Sequence, residues 1–166
     1  MSISNNSTGL RPGVCLSSSR PTTPYVGQHI FETDTGKQLV WDGSSWSSNF
    51  QTLSVALSDE YTPLTTGNGK VIIRAPFGMK LFQIPRASLT TASSSGLPTV
   101  NIRVSGTTIF STQLTIDATE KTSVTAATPA VLSTTTIADD AEIAFDIVTA
   151  GTSATGLKVT LYYRIT

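Results

Sequence analysis

Apolar and polar residues alternate strictly along several stretches of this chain. Val100, Ile102 and Val104 interleave with Asn101, Arg103 and Ser105. Ile143, Phe145 and Ile147 oppose Glu142 and Asp146, and Leu157, Val159, Leu161, Tyr163 and Ile165 oppose Lys158, Thr160, Tyr162 and Arg164. A period of two sends successive side chains to opposite faces of a strand, so these runs predict antiparallel sheet with one face buried and one face wet. The same criterion, relaxed for shorter runs, predicts strands at Leu53–Leu57, Lys70–Ala75, Met79–Leu89, Thr99–Ser105, Thr107–Leu114, Ala130–Thr134, Ala141–Val148 and Leu157–Ile165. Turn chemistry separates them: Gly67-Asn68-Gly69, Pro76-Phe77-Gly78, Ser93 to Gly96, Ser105-Gly106, Asp139-Asp140 and Gly151 to Gly156. No window supports a regular helix, because Thr, Val and Ile dominate and turns interrupt; a single helical turn is expected near Ile116–Thr119. About eight short strands in one domain predict an all-β fold, an antiparallel jelly-roll-like β-sandwich over residues 53–166.

The first third of the chain follows another pattern. Residues 20–48 predict a small β-hairpin module. Pro21 and Pro24 hold its start extended. His29 to Thr33 forms a strand, Asp34-Thr35-Gly36-Lys37 turns the chain, and Gln38 to Trp41 returns. Asp42-Gly43 makes a second turn before Trp46. So small an element lacks the area to bury Tyr25, Phe31, Trp41 and Trp46 against itself. Tyr25, Ile30, Phe31, Val40, Trp41 and Trp46 are therefore the candidate assembly or docking residues. Residues 1–19, rich in Ser, Asn, Gly and Pro without periodicity, read as an extended arm ordered by a partner surface.

Composition narrows the function. The 166 residues are 39% apolar and 13% charged, enough apolar material for a packed core. Eleven basic residues balance eleven acidic ones, and the balance holds locally, so the basic stripe that nucleic-acid binding needs is missing. A near-zero net charge favours association. No run of about 18 apolar residues predicts a membrane span. Met1 to Asn6 has neither a basic nor an apolar segment, so no signal peptide is expected, and the sequon Asn6-Ser7-Thr8 is read as chance.

Candidate chemistry is thin. The chain has one His and one Cys. A lone Cys15 excludes an internal disulfide and is read as an apolar contact. His29 is the one conceivable imidazole base, but no Ser lies in a Gly-x-Ser-x-Gly setting and a triad needs three groups brought together. Gly67-Asn68-Gly69-Lys70 lacks the earlier Gly, the following Ser or Thr and the helix of a phosphate loop. Asp139, Asp140, Glu142 and Asp146 invite a calcium reading, which needs six to eight converging oxygens; they are read as a solvated loop and strand face, and Asp117 with Glu120 as flanking a turn. No catalytic residue, cofactor or metal is expected. Sugar binding by Trp41, Trp46 or Tyr162 is the functional rival, set against aromatics filling an interface.

Two stretches carry a resemblance. Arg20-Pro21, Pro24-Tyr25-Val26-Gly27, Glu32-Thr33-Asp34-Thr35 and Trp41-Asp42-Gly43 resemble a short module that recurs in structural proteins of tailed bacteriophages. Ala56 to Glu60, Leu64 to Gly67, Ala75-Pro76-Phe77, Leu114 to Ser123, Ala138 to Ile143 and Gly156 to Leu161 look like a β-sandwich domain of phage virion proteins, among them capsid decoration proteins and fibres. Together they cover residues 20–166. The resemblance implies a virion structural protein: a capsid decoration (cement) or head-fibre protein, a homotrimer, docking on the major capsid protein or another virion protein through its N-terminal segment, on the capsid exterior in preference to the tail. The alternative it leaves open is a tail or neck fibre component binding host glycan.

Overall fold

The computed structural model describes residues 13–48 and 51–165. The chain divides into two compact units, Met1–Asn49 and Phe50–Thr166.

The first unit is one four-stranded sheet in the order β1 (Gly13–Cys15), β2 (His29–Glu32), β3 (Gln38–Trp41), β4 (Trp46–Ser48). β2, β3 and β4 form an antiparallel meander, while β1 runs parallel to β2 with Val14 beside Phe31. This corrects the arm expected over residues 1–19. Residues 13–15 are a sheet strand, and Ser17–Ser19 form a 3-10 turn anchored by the Asp34 carboxylate, which accepts from the Ser17 N–H at 2.9 Å and the Ser17 hydroxyl at 2.5 Å. Residues 1–12 lie outside the described residues.

The second unit is an all-β sandwich. Its strands are β5 (Gln51–Ala56), β6 (Gly67–Arg74), β7 (Met79–Ser88), β8 (Thr99–Val104), β9 (Thr107–Thr108), β10 (Phe110–Thr112), β11 (Leu114–Thr115), β12 (Val131–Leu132), β13 (Thr136–Ile137), β14 (Glu142–Thr149) and β15 (Lys158–Ile165). One sheet runs β5-β15-β7-β13 and the other β6-β14-β8-β11, with β9 also on β8 and β10 paired to β12 apart from both. Counting β5, β6, β7, β8, β11, β13, β14 and β15 as first to eighth, the sheets read 1-8-3-6 and 2-7-4-5. That interleaving of two Greek keys is a jelly roll. The inward residues of the central strands, Ile102, Ile143, Phe145, Ile147, Val159 and Leu161, are fully buried.

Three local expectations change. The run Thr107–Leu114 is not one strand. Thr107 and Thr108 pair with the end of β8, Leu114 and Thr115 pair with its start, and Phe110 to Thr112 turn away to β12. The helical turn sits at Ser123–Thr125, where the Thr122 hydroxyl caps the Val124 N–H, and not at Ile116–Thr119. The polar face of β8 and β14 is not wet throughout. Asp146 is 2% exposed and Asn101 is buried. Arg103 explains both. Its Nε and Nη2 each donate to the Asp146 carboxylate at 2.8 Å, beside the Asn101 amide at 3.2 Å and the Gly69 N–H at 2.7 Å. The Gly69 contact lies where the β14–β6 ladder shifts register, so the carboxylate takes up an N–H turned out of the ladder.

Candidate docking face

Strand register divides the small sheet into two faces. His29 lies opposite Val40, and Phe31 opposite Gln38, with Val14 beside Phe31 and Ser47 beside Val40. These six residues share one side. Val14 is 69% exposed and Phe31 38%, His29, Gln38 and Ser47 are exposed, and Val40 is half-buried. The other side carries Ile30 opposite Leu39, both buried, then Glu32 and the half-buried Trp41 and Trp46.

The closed side explains the motif residues. Glu32 is fully buried beside Arg20 and Thr35, whose Nε and Oγ1 each lie 2.5 Å from its oxygens. Burial pushes this carboxyl up, but the Arg20 and Thr35 hydrogen bonds and the Arg20 charge outweigh it and hold Glu32 below its ordinary value. Asp42 accepts from the Ser44 and Ser45 N–H groups at 2.8 and 2.7 Å and from both hydroxyls, and these bonds hold it far below the usual carboxylate range. Gly43, at φ +106, supplies the turn that a side chain resists. Arg-Pro, Glu-Thr-Asp-Thr and Trp-Asp-Gly are thus the internal frame of this sheet.

The predicted docking residues separate accordingly. Phe31 and Val40 stand together on the open face. Tyr25 is 56% exposed in the loop before β2, where Gln28 Oε1 accepts from its N–H and Gln28 N–H donates to its carbonyl. Ile30 is 0% exposed and does not belong to a docking surface, because its side chain fills the closed side. Trp41 and Trp46 pack on each other across the strands, ring centroids 5.5 Å apart and planes at 60°. Val14 and Leu16, in the stretch expected to be an extended arm, and Val26, in the loop before β2, are further exposed apolar residues.

The remaining candidates lie apart from any shared chemistry. The register neighbours of His29 carry no carboxylate. Cys15 is half-buried, and its carbonyl accepts the Thr33 N–H at 3.0 Å. Asp139 and Asp140 are exposed, whereas Asp146 is committed to Arg103. Among the described residues no three His, Cys, Asp or Glu side chains gather to hold a metal ion, and no helix is long and apolar enough to cross a membrane. Tyr162, a candidate sugar platform, carries the Arg86 guanidinium 5.4 Å from its ring centroid. Comparison of the chain with protein-family models, with curated proteins and with solved structures found no match.

Proposed function

We propose that this chain is a bacteriophage virion structural protein, a capsid decoration or head-fibre protein that docks on the particle through its N-terminal sheet and presents the jelly roll outward as a homotrimer. The observation that carries this reading is the open face of the small sheet. Val14 and Phe31 stand side by side on it in a unit whose own frame, Arg20, Glu32, Thr35 and Asp42, is already complete. Exposed apolar side chains grouped on one sheet face mark an interaction surface. The motif resemblance supplies the class of particle, and repeated copies on a symmetric shell would add avidity to a modest single contact.

The test is binding to purified capsids that lack this protein. Wild type is expected to co-sediment with them, and Val14→Asp with Phe31→Asp to release it while the hydrogen-exchange protection of Ile30 and Leu39 persists. Retained binding by the double variant would overturn the docking face. Light scattering of the free protein is expected to give a trimer mass.

A further inference from the structure

In β7 the ladder on the β13 side is interrupted. The Leu81 N–H still donates to the Thr135 carbonyl at 2.8 Å, and among the described residues the next bond on this side is the one the Ala87 N–H gives the Ser123 hydroxyl at 2.9 Å. Between these points β7 shifts register twice against β15. Pro85 lies in the gap and has no N–H to leave unpaired there. The gap opens as a cleft of about 220 Å³. Buried Leu114 and Ala130 line it, with Pro85, Pro129 and the exposed Ile84 and Val124. Water entering such a space finds few polar partners, so an apolar guest is favoured.

One charged residue lines the cleft, Arg86. Among the described residues it has no carboxylate partner, and all three ion pairs there lie elsewhere. With the Gln83 amide oriented by its hydrogen bonds, its oxygen accepts from Arg86 Nη2 at 2.7 Å and Nε at 3.2 Å. A guanidinium has five N–H donors, so donors remain for an anion. We propose that this cleft binds a small apolar monocarboxylate, its hydrocarbon part against Leu114 and Ala130 and its carboxylate on Arg86.

The experiment is a titration of the ¹⁵N,¹³C-methyl-labelled full chain with hexanoate, 1-hexanol and hexylamine, read at Ile84, Leu114, Val124 and Ala130. Hexanoate is expected to shift these signals saturably. Hexanol should bind about tenfold more weakly, the worth of one charge-assisted hydrogen bond, and the amine more weakly still. Arg86→Gln, at an exposed position, should lower hexanoate to the level of hexanol and leave hexanol unchanged. Val124→Asp at the rim should weaken hexanoate selectively by charge repulsion. Absence of saturable shifts at these residues, equal binding of acid and alcohol, or an Arg86→Gln variant that binds hexanoate as well as wild type would each overturn the proposal.

Discussion

Replacing Asp146 with Asn tests how the outer face of the β8–β14 sheet is held. The carboxylate accepts two bonds from Arg103, one from Asn101 and one from Gly69. Asn keeps an acceptor for Gly69 but sets its own NH₂ against the Arg103 or Asn101 donors, leaving a partly buried guanidinium without its anion. Breaking a buried ion pair from one side costs roughly 3–5 kcal/mol. The Arg103 side chain keeps 30% exposure and reaches water, so the expected loss is at the lower end, about 3 kcal/mol. That is a large share of the roughly 5–15 kcal/mol typical of a domain. Urea unfolding at neutral pH measures it, and a cycle with Arg103→Gln should show the double variant less destabilised than the sum of the singles. The pH dependence is a second reading. Burial raises the Asp146 pKa, but the Arg103 and Gly69 hydrogen bonds, the Arg103 charge and the Asn101 amide outweigh it, so the folded value lies below the unfolded one. A depressed carboxylate contributes stability that is complete above its unfolded pKa, about 3.9, and lost as pH falls through the lower folded value. The gap between wild type and Asp146→Asn should therefore be constant above about pH 5 and shrink towards pH 2. A deficit under about 1 kcal/mol, or one that does not narrow in acid, would refute the argument.

Two further substitutions test backbone and frame. Gly156→Ala combines φ +67 with a Cβ that would strike the Thr90 side chain and lie 2.5 Å from Glu60 Oε2, so it should cost about 3 kcal/mol, whereas Gly106→Ala, at φ +83 in open space, should cost about 1 kcal/mol; equal shifts in thermal midpoint would contradict the difference. Glu32→Ala strands Arg20 and Thr35 on the closed side of the small sheet and should lower hydrogen-exchange protection of the Ile30 and Leu39 amides by about 2 kcal/mol while β14 and β15 keep theirs; unchanged protection would show that the carboxylate is dispensable to that sheet.

The sandwich was largely legible because its long strands alternate without ambiguity. Ile143, Phe145 and Ile147 point inward as their period requires, and six of the eight predicted strands, those matching β5, β6, β7, β8, β14 and β15, order the jelly roll. What alternation does not carry is the fate of the other face. Asp146 reads as wet until Arg103, its diagonal neighbour across the ladder, closes over it. In β2 the period itself misleads, since each face holds one apolar and one polar residue: His29 with Phe31, and Ile30 with Glu32. Sequence then offers no reason to prefer Phe31 over Ile30 as the exposed member, so its pattern marks both as docking residues. β1 and β13, of three and two residues, are too short for any period to register.

Pro85 shows how a sequence rule can hold while its usual conclusion fails. A proline inside a strand pattern argues for a sheet edge. β7 is an internal strand, flanked by β15 and β13, yet β13 pairs only with its first two residues. Over Gln83–Arg86, between the last bond to Thr135 and the first to Ser123, β7 has a local edge, and the proline sits there. The missing donor, the doubled register shift and the cleft are one feature seen at three levels. A ladder that stops pairing must either turn its N–H groups to water or lack them, and this one lacks a donor over core residues Leu114 and Ala130. The fold thus leaves an apolar opening lined by Arg86, which among the described residues has no carboxylate partner, and this is why a ligand should be sought in the cleft.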